Sequence, residues 1–280
     1  RDPLWSRGLG DVYKRQGLMK YDANGKPVED LAQSYTYDDK TLTYTFHLRS
    51  GVKWHDGKPF TSADVVFTYR ELTEDKTLSS SVLSEFEDIK DIKAPDGSTV
   101  VITLSKYNAA MLGYFCMGIV PQHLLEGKDM NTDPFNQHPV GTGRYQFVSW
   151  DKAGGVVSFE RNEKYYDKVP EIKKLAYKTV ATESTKALML ENGEADLAWL
   201  NAKYADKFRG NDKFQNTDFT TADYRSVEMD FKTDFWKKNK DSVGVLNYAV
   251  DKDSIVKSIL AGQGLSLIHI SEPTRPERIS

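Results

Sequence analysis

The sequence predicts a mixed α/β (α+β) protein, because strand-like and helix-like segments follow one another without a regular βαβ repeat. Residues 41–49 alternate apolar and polar side chains, as a half-buried strand does. Residues 63–72 and 183–192 place apolar side chains at helical spacing. Hydrophobic residues make up 39% of the 280-residue chain and aromatic residues 12%, which is enough for a substantial core.

The first half of the chain is predicted to hold two strands and two helices. They are a strand at 41–49, a helix at 63–72, a strand with Val100, Ile102 and Leu104 on one face, and a buried helix at 109–117. Thr61 or Ser62 can cap the first helix, and Asp64 suits the positive end of its dipole. The polar stretch 126–139 contains two prolines and is interpreted as the link to a different unit.

The second half is predicted to begin with a β-hairpin. The predicted elements are strands at 144–150, 155–160, 172–180 and 195–200, helices at 183–192, 204–209 and 252–261, and an extended segment at 224–231. Thr182 is expected to cap the helix at 183–192, and Gly193 is expected to end it. The secondary-structure pattern changes at Gly141, after the polar stretch 126–139, so a domain boundary is expected near residue 140.

Charge, cysteine content and hydropathy exclude several classes of protein. The chain carries 38 Lys and Arg against 41 Asp and Glu, a formal net charge of −3, so no basic excess is present to hold nucleic acid. The longest apolar run, 109–121, is too short to span a bilayer. Cys116 is the one cysteine, which excludes an intramolecular disulfide and a thiolate metal cluster.

Two short motifs suggest reactive sites, and each is better explained as a turn. His55-Asp56 has no second histidine at ligand spacing, since His123 is far along the chain. Gly141-Thr142-Gly143 suggests a phosphate cradle but has Gln146 where a third glycine would stand. We therefore expect no catalytic residues, no metal site and no cofactor.

Aromatic residues beside polar ones indicate a possible binding surface. The chain has 15 tyrosines, and two segments, 199–201 and 224–228, combine aromatic residues with amide or acidic ones. Aromatic side chains that line a cleft, together with a few polar groups directed into it, are typical of a ligand-binding site. Ordinary amphipathic side chains at a surface would have the same composition, so the residues alone leave both interpretations open.

Both ends of the chain differ from the sequence beside them. Residues 1–16 and 264–280 do not continue the neighbouring periodicity, and they resemble translated sequencing-adapter strings. We expect both segments to be non-native and exclude them from the fold prediction.

Several segments resemble the extracytoplasmic solute-binding proteins of peptide-type ABC importers, the oligopeptide, dipeptide and nickel group called family 5. The longest is DLAQSYTYDDKTLTYTFHLRSGVKWHDGKPFTSADVVFTY, from Asp30 to Tyr69. PVGTGRYQF, ERNEKYYD, LENGEADLAWL and NYAVDKDSIVKSILAGQG follow in the family's order. Two departures are Tyr35, where the family usually has tryptophan, and Ser242-Val243-Gly244-Val245, where it usually has Val-Arg-Gln-Ala.

The resemblance implies a type II periplasmic-binding-protein-like fold, with two lobes that close on the ligand at a hinge. Residues 17–139 would form the extra subdomain of the first lobe. Residues 140–263 would form part of that lobe's main subdomain, and the second lobe would lie outside this chain.

The implied function is capture of peptides outside the cytoplasmic membrane and their delivery to the permease, without catalysis. The implied protein is a monomer in the periplasm, or a lipoprotein on the outer face of the membrane. Alternatives are a nickel, haem or oligosaccharide binder of the same family. A hydrolase with paired carboxylates and a regulator with a fused DNA-binding domain are remoter hypotheses.

The resemblance also indicates five ligand-binding residues. Trp199 and Tyr224 would form walls of the cleft, while Ser226 and Glu228 would make polar or extended-backbone contacts. Asn201 lies in the same stretch as Trp199. The alternative is that these residues only support the hinge.

Overall fold

A computed structural model describes residues 16–218, 229–258, 262 and 264. The described residues fall into two compact units, one ending at Thr179 and the other beginning at Val180. The mixture of strands and helices confirms the predicted fold class. Within the described part of the chain, no helix is long and apolar enough to cross a membrane.

The first unit contains nine strands and three α-helices among its described residues. The strands are β1 (Met19–Tyr21), β2 (Pro27–Glu29), β3 (Ala32–Asp38), β4 (Thr43–Leu48), β5 (Ile89–Asp96), β6 (Thr99–Leu104), β7 (Tyr145–Asp151), β8 (Val156–Arg161) and β9 (Lys174–Lys178). The helices are α1 (Ser62–Glu74), α2 (Met111–Tyr114) and α3 (Gln122–Leu125), with 3₁₀ turns at Leu83–Glu85 and Pro134–Asn136.

A four-stranded antiparallel sheet, ordered β3-β4-β6-β5, carries the main core of this unit. Phe46 of β4 lies opposite Val100 of β6, and Tyr44 lies opposite Ile102. All four side chains are buried, so the predicted alternation is confirmed. Leu42 does not belong to the strand as predicted: its φ of 53° places it in the preceding turn.

Helix α1 packs against β5 and β6 through one apolar face. Val65, Tyr69 and Leu72 are buried as predicted, whereas Val66 is half-buried. The Phe115 ring lies edge-on to Phe46 at 5.0 Å and to Tyr69 at 5.7 Å. This aromatic contact joins the helix to the sheet and fills the centre of the core.

The predicted helix at 109–117 is buried but shorter than expected. Met111 and Phe115 are fully buried, yet helix α2 ends at Tyr114. The Phe115 carbonyl accepts the Met19 N–H of β1 at 3.0 Å, so its acceptor is used between elements rather than by a continuing helix. Burial raises the pKa of the Cys116 thiol to about 12, which agrees with a packing role.

A separate three-stranded antiparallel sheet is formed by β7, β8 and β9 in sequence order. Phe159 on the central strand lies opposite Phe147 and Leu175. Its ring also contacts the Tyr177 ring edge-on at 5.8 Å. The predicted hairpin and third strand are confirmed, each within a few residues of the expected bounds.

The second unit is helical within the residues that the structure describes. Its helices are α4 (Glu183–Glu191), α5 (Ala202–Ala205), α6 (Asp234–Lys238), α7 (Ser242–Ala249) and α8 (Lys252–Ser258), with a 3₁₀ turn at Asp206–Phe208. Ala187 and Met189 of α4 and Phe208 are buried. Helices α4 and α5 agree with the prediction, while α6 and α7 were not predicted. Residues 259–261 of the predicted last helix lie outside the described residues.

Candidate functional site

The candidate site is the segment 195–201, which leads from helix α4 to helix α5. Thr182 caps α4, its hydroxyl oxygen accepting the Thr185 N–H at 3.1 Å. At the other end Gly193 adopts a φ of 71°, a backbone conformation that glycine reaches without strain. Both helix ends agree with the prediction, and together they set where the segment starts.

Glu183 in the first turn of α4 holds the far end of this segment. Its Oε2 accepts the Asn201 backbone N–H at 2.9 Å, and its Oε1 pairs with Lys186 Nζ at 2.7 Å. The hydrogen bond from Lys186 lowers the Glu183 pKa, and the Asn201 N–H lowers it further. The carboxylate therefore stays charged at neutral pH and acts as an anchor.

Asn201 is placed by the structure at the N-terminus of α5. Its Oδ1 accepts the Tyr204 N–H at 3.4 Å, and its backbone has the extended conformation of an N-cap. Capping satisfies one of the free N–H groups of the helix end. A sequence pattern of asparagine followed by a short helix could have revealed this capping role.

Trp199 lies in the same segment and is 64% exposed, while Leu197 is 90% exposed. The segment thus presents an aromatic and an aliphatic side chain outward, beside the anchored backbone of Asn201. Such a surface can contact apolar parts of a ligand, and neighbouring backbone groups can form hydrogen bonds with it.

The strand predicted at 195–200 is wrong. The segment is short and mostly apolar, but none of the described strands pairs with it. A strand needs a neighbour to accept and donate its backbone hydrogen bonds. Here the backbone is tied to the end of α4 instead, since Glu194 and Ala195 donate to the Met189 carbonyl.

The remaining predicted binding residues cannot be placed. Tyr224, Ser226 and Glu228 lie outside the described residues, as does most of the predicted extended segment 224–231. Of the five predicted residues, Trp199 and Asn201 are therefore the two that the structure brings together. Glu183, which connects the Asn201 backbone to α4, was missed because a glutamate in a first helical turn is common for electrostatic reasons alone.

The His55-Asp56 motif forms a structural junction. Asp56 Oδ2 lies 2.7 Å from His123 Nε2, so the histidine that is distant in sequence is its direct partner in space. The His55 ring contacts the backbone of Gly141 and Gly143. Within the described ranges, no group of three or more His, Cys, Asp and Glu residues could hold a metal ion.

We expect the anchor to be measurable by hydrogen exchange at the Asn201 amide. Replacing Glu183 with alanine removes the acceptor, and exchange at this amide should rise about fivefold, as expected for one partly exposed hydrogen bond. Glu183→Gln keeps an acceptor oxygen and should retain most of the protection. Glu194→Ala, just beyond the other end of the same helix and exposed, is the matched control. Equal exchange in all three variants would contradict the anchor.

Comparisons with known proteins give one consistent result. A family model, described as bacterial extracellular solute-binding proteins, family 5 Middle, matches residues 26–276. Protein XP55 of Streptomyces lividans is 32% identical over 251 residues, covering 89% of this chain and 45% of that protein. The glutathione-binding protein GsiB of Pectobacterium atrosepticum is 32% identical, covering 88% of this chain and 48% of that protein. The chain spans about half the length of these relatives.

Solved structures give the same picture. NikZ from Campylobacter jejuni, in complex with Ni(L-His), is 35% identical with a TM-score of 0.86, covering 93% of this chain and 53% of NikZ. The oligopeptide-binding protein AppA from Bacillus subtilis, in complex with a nonapeptide, is 24% identical with a TM-score of 0.81. That comparison covers 94% of this chain and 54% of AppA, and it supports the fold alone.

Proposed function

The chain belongs to the bacterial extracellular solute-binding proteins of family 5, and from that membership we propose that it is part of the substrate-binding component of an ABC importer for peptides. The observation that carries the proposal is the family match over residues 26–276. The exposed Trp199 beside an anchored backbone supports it, because it offers a peptide both an apolar wall and polar groups.

The proposed action is binding without catalysis. A peptide is captured outside the cytoplasmic membrane, enclosed by hinge closure and released to the permease. Trp199 and Tyr224 form walls against peptide side chains, and Ser226 and Glu228 contact the peptide backbone. Asn201 can donate from Nδ2 to a peptide carbonyl while Oδ1 continues to cap α5.

The proposed domain organisation follows the two sheets. Residues 17–139, which include the four-stranded sheet, form the extra subdomain of the first lobe. Residues 140–263 form part of the main subdomain and begin just before the three-stranded sheet. The protein is proposed to be a monomer that binds no nucleic acid. Its proposed location is the periplasm, or the outer face of the membrane as a lipoprotein.

A nickel complex is the second candidate ligand. It is favoured by the likeness to NikZ, whose solved structure contains Ni(L-His). Haem and oligosaccharides are further ligands to test. No observation on the described residues specifically favours the two remoter hypotheses, a hydrolase and a DNA-binding regulator.

Mass spectrometry of co-purified ligand tests the proposal. The protein is completed to the length of its relatives, purified without denaturant and measured under native conditions. We expect added masses that dissociate as peptides. A nickel complex, haem or sugar in their place would overturn the peptide assignment while leaving the solute-binding role intact.

A further inference from the structure

The His55 imidazole uses both ring nitrogens to hold one turn of the backbone. Nδ1 lies 3.2 Å from the Gly141 nitrogen and accepts its N–H. Nε2 lies 3.0 Å from the Gly143 carbonyl oxygen. A carbonyl can only accept, so Nε2 must carry the proton. Both bonds are made together only by the neutral imidazole protonated at Nε2.

The turn that the His55 ring contacts, residues 141–143, is buried and forms further hydrogen bonds besides those to the ring. The His55 backbone N–H donates to the Gly141 carbonyl at 2.8 Å, and Asn162 Nδ2 donates to the Gly143 carbonyl at 3.1 Å. Thr142 is 1% exposed. Water is therefore poorly placed to replace a hydrogen bond lost from this turn.

Protonation of His55 is incompatible with this arrangement. A second proton on Nδ1 would face the Gly141 N–H, turning an acceptor into a donor. The charged neighbour of the ring is Asp56, which is itself bonded to His123 and to the Lys58 N–H. The turn presents uncharged backbone groups to the ring.

Burial of the His55 ring makes the stability of the protein depend on pH. Burial lowers the His55 pKa below its usual value of 6.5. Between pH 6.5 and this lowered pKa, the unfolded chain binds the proton more readily than the folded chain. The free energy of unfolding therefore falls as the pH falls. The contribution of His55 is complete above pH 6.5 and is lost as pH drops through the lowered pKa.

We propose that His55 is a pH-sensitive joint, which couples the turn after β4 to the turn that leads into β7 and releases the latter in acid. Tyr145, the first residue of β7, follows this turn directly. Release would loosen the connection between the four-stranded and the three-stranded sheets. The device would make an extracytoplasmic protein respond to acidification, a property beyond ligand capture.

The joint can be tested on the unmodified chain by NMR of the histidine ring nitrogens together with amide hydrogen exchange. We expect the Nε2–H tautomer at pH 7.5 and a His55 midpoint below 6.5. Protection of the Gly141 amide, corrected for intrinsic exchange, should fall about tenfold between pH 7.5 and 5, the ratio expected for one buried hydrogen bond. An Nδ1–H tautomer, or a constant protection factor, would overturn the proposal.

Two variants separate the joint from general acid sensitivity. His55→Gln has a donor and an acceptor but does not titrate, so protection at Gly141 should no longer depend on pH. His47→Gln, at an exposed position of β4, should behave like the unmodified chain. A pH-dependent loss that persists in His55→Gln would contradict the proposal. If that variant fails to fold, the ring titration of the unmodified chain still decides.

Discussion

Replacing Asp64 with alanine is expected to lower the free energy of unfolding by about 3–5 kcal/mol, because it leaves several buried or half-buried hydrogen-bond donors unsatisfied at about 1–3 kcal/mol each. Asp64 is 4% exposed. Its Oδ2 accepts from Trp54 Nε1 at 3.3 Å and from the Thr61 N–H at 2.9 Å, and its Oδ1 accepts the Gln122 N–H at 3.0 Å. Alanine would leave three donors with no acceptor in this position.

Urea-induced unfolding measures the loss of unfolding free energy in Asp64→Ala. Two further variants provide values for comparison. Glu74→Ala changes an exposed carboxylate at the other end of α1, 3.9 Å from Arg70, and should cost less than about 0.5 kcal/mol. Asp64→Asn keeps one acceptor oxygen and should lie between the two. A loss for Asp64→Ala no larger than that for Glu74→Ala would show that this carboxylate does not hold the junction together.

Replacing Trp199 with alanine is expected to weaken peptide binding about tenfold to a hundredfold in the protein completed to family length. This range corresponds to about 1.4–2.8 kcal/mol, typical of a large aromatic contact with a ligand. Because Trp199 is 64% exposed, the change in the free energy of unfolding should be small. Calorimetric titration with a bound peptide gives the ratio directly.

Trp150→Ala is the matched control for this prediction. Trp150 is 37% exposed on the three-stranded sheet, with Lys152 Nζ 5.2 Å from its ring. Its removal should leave peptide affinity within a factor of about two, because Trp150 is not among the predicted ligand-binding residues. Equal losses in both variants would point to a general effect of removing tryptophan.

Local patterns predicted five of the nine strands described in the first unit, namely β4, β6, β7, β8 and β9, together with helix α1 and with helix α4 of the second unit; β1, β2, β3 and β5 were not predicted. The strand β4 could be predicted because its buried residues, Tyr44, Phe46 and Leu48, alternate with polar residues that are half-buried or exposed. Helix α4 could be predicted because Thr182 and Gly193 mark its ends with residues suited to caps. In both cases the information lies within a few residues of the element itself.

Contacts between distant parts of the chain could not be predicted in the same way. The segment 195–200 is short and mostly apolar, but whether a strand forms there depends on a partner elsewhere in the chain. His123 was discounted because it is far from Asp56 in sequence, although the fold brings them to 2.7 Å. Helix α2 ends at Tyr114, and the Phe115 carbonyl just beyond it accepts the Met19 N–H of β1, a contact that no local pattern reveals.

The candidate site was predicted in part. The family resemblance indicates Trp199 and Asn201, and the structure places them in one exposed segment. Their structural roles differ, and the sequence did not reveal this difference. Asn201 caps a helix, whereas the Trp199 side chain is exposed. Tyr224, Ser226 and Glu228 stay predictions.

The central claim, peptide binding, is tested most directly by calorimetric titration of the protein completed to family length with dipeptides, tetrapeptides and nonapeptides. We predict saturable binding of one peptide per protein for at least one of these lengths. No heat of binding at any length, together with saturable binding of a nickel–histidine complex, would contradict the claim.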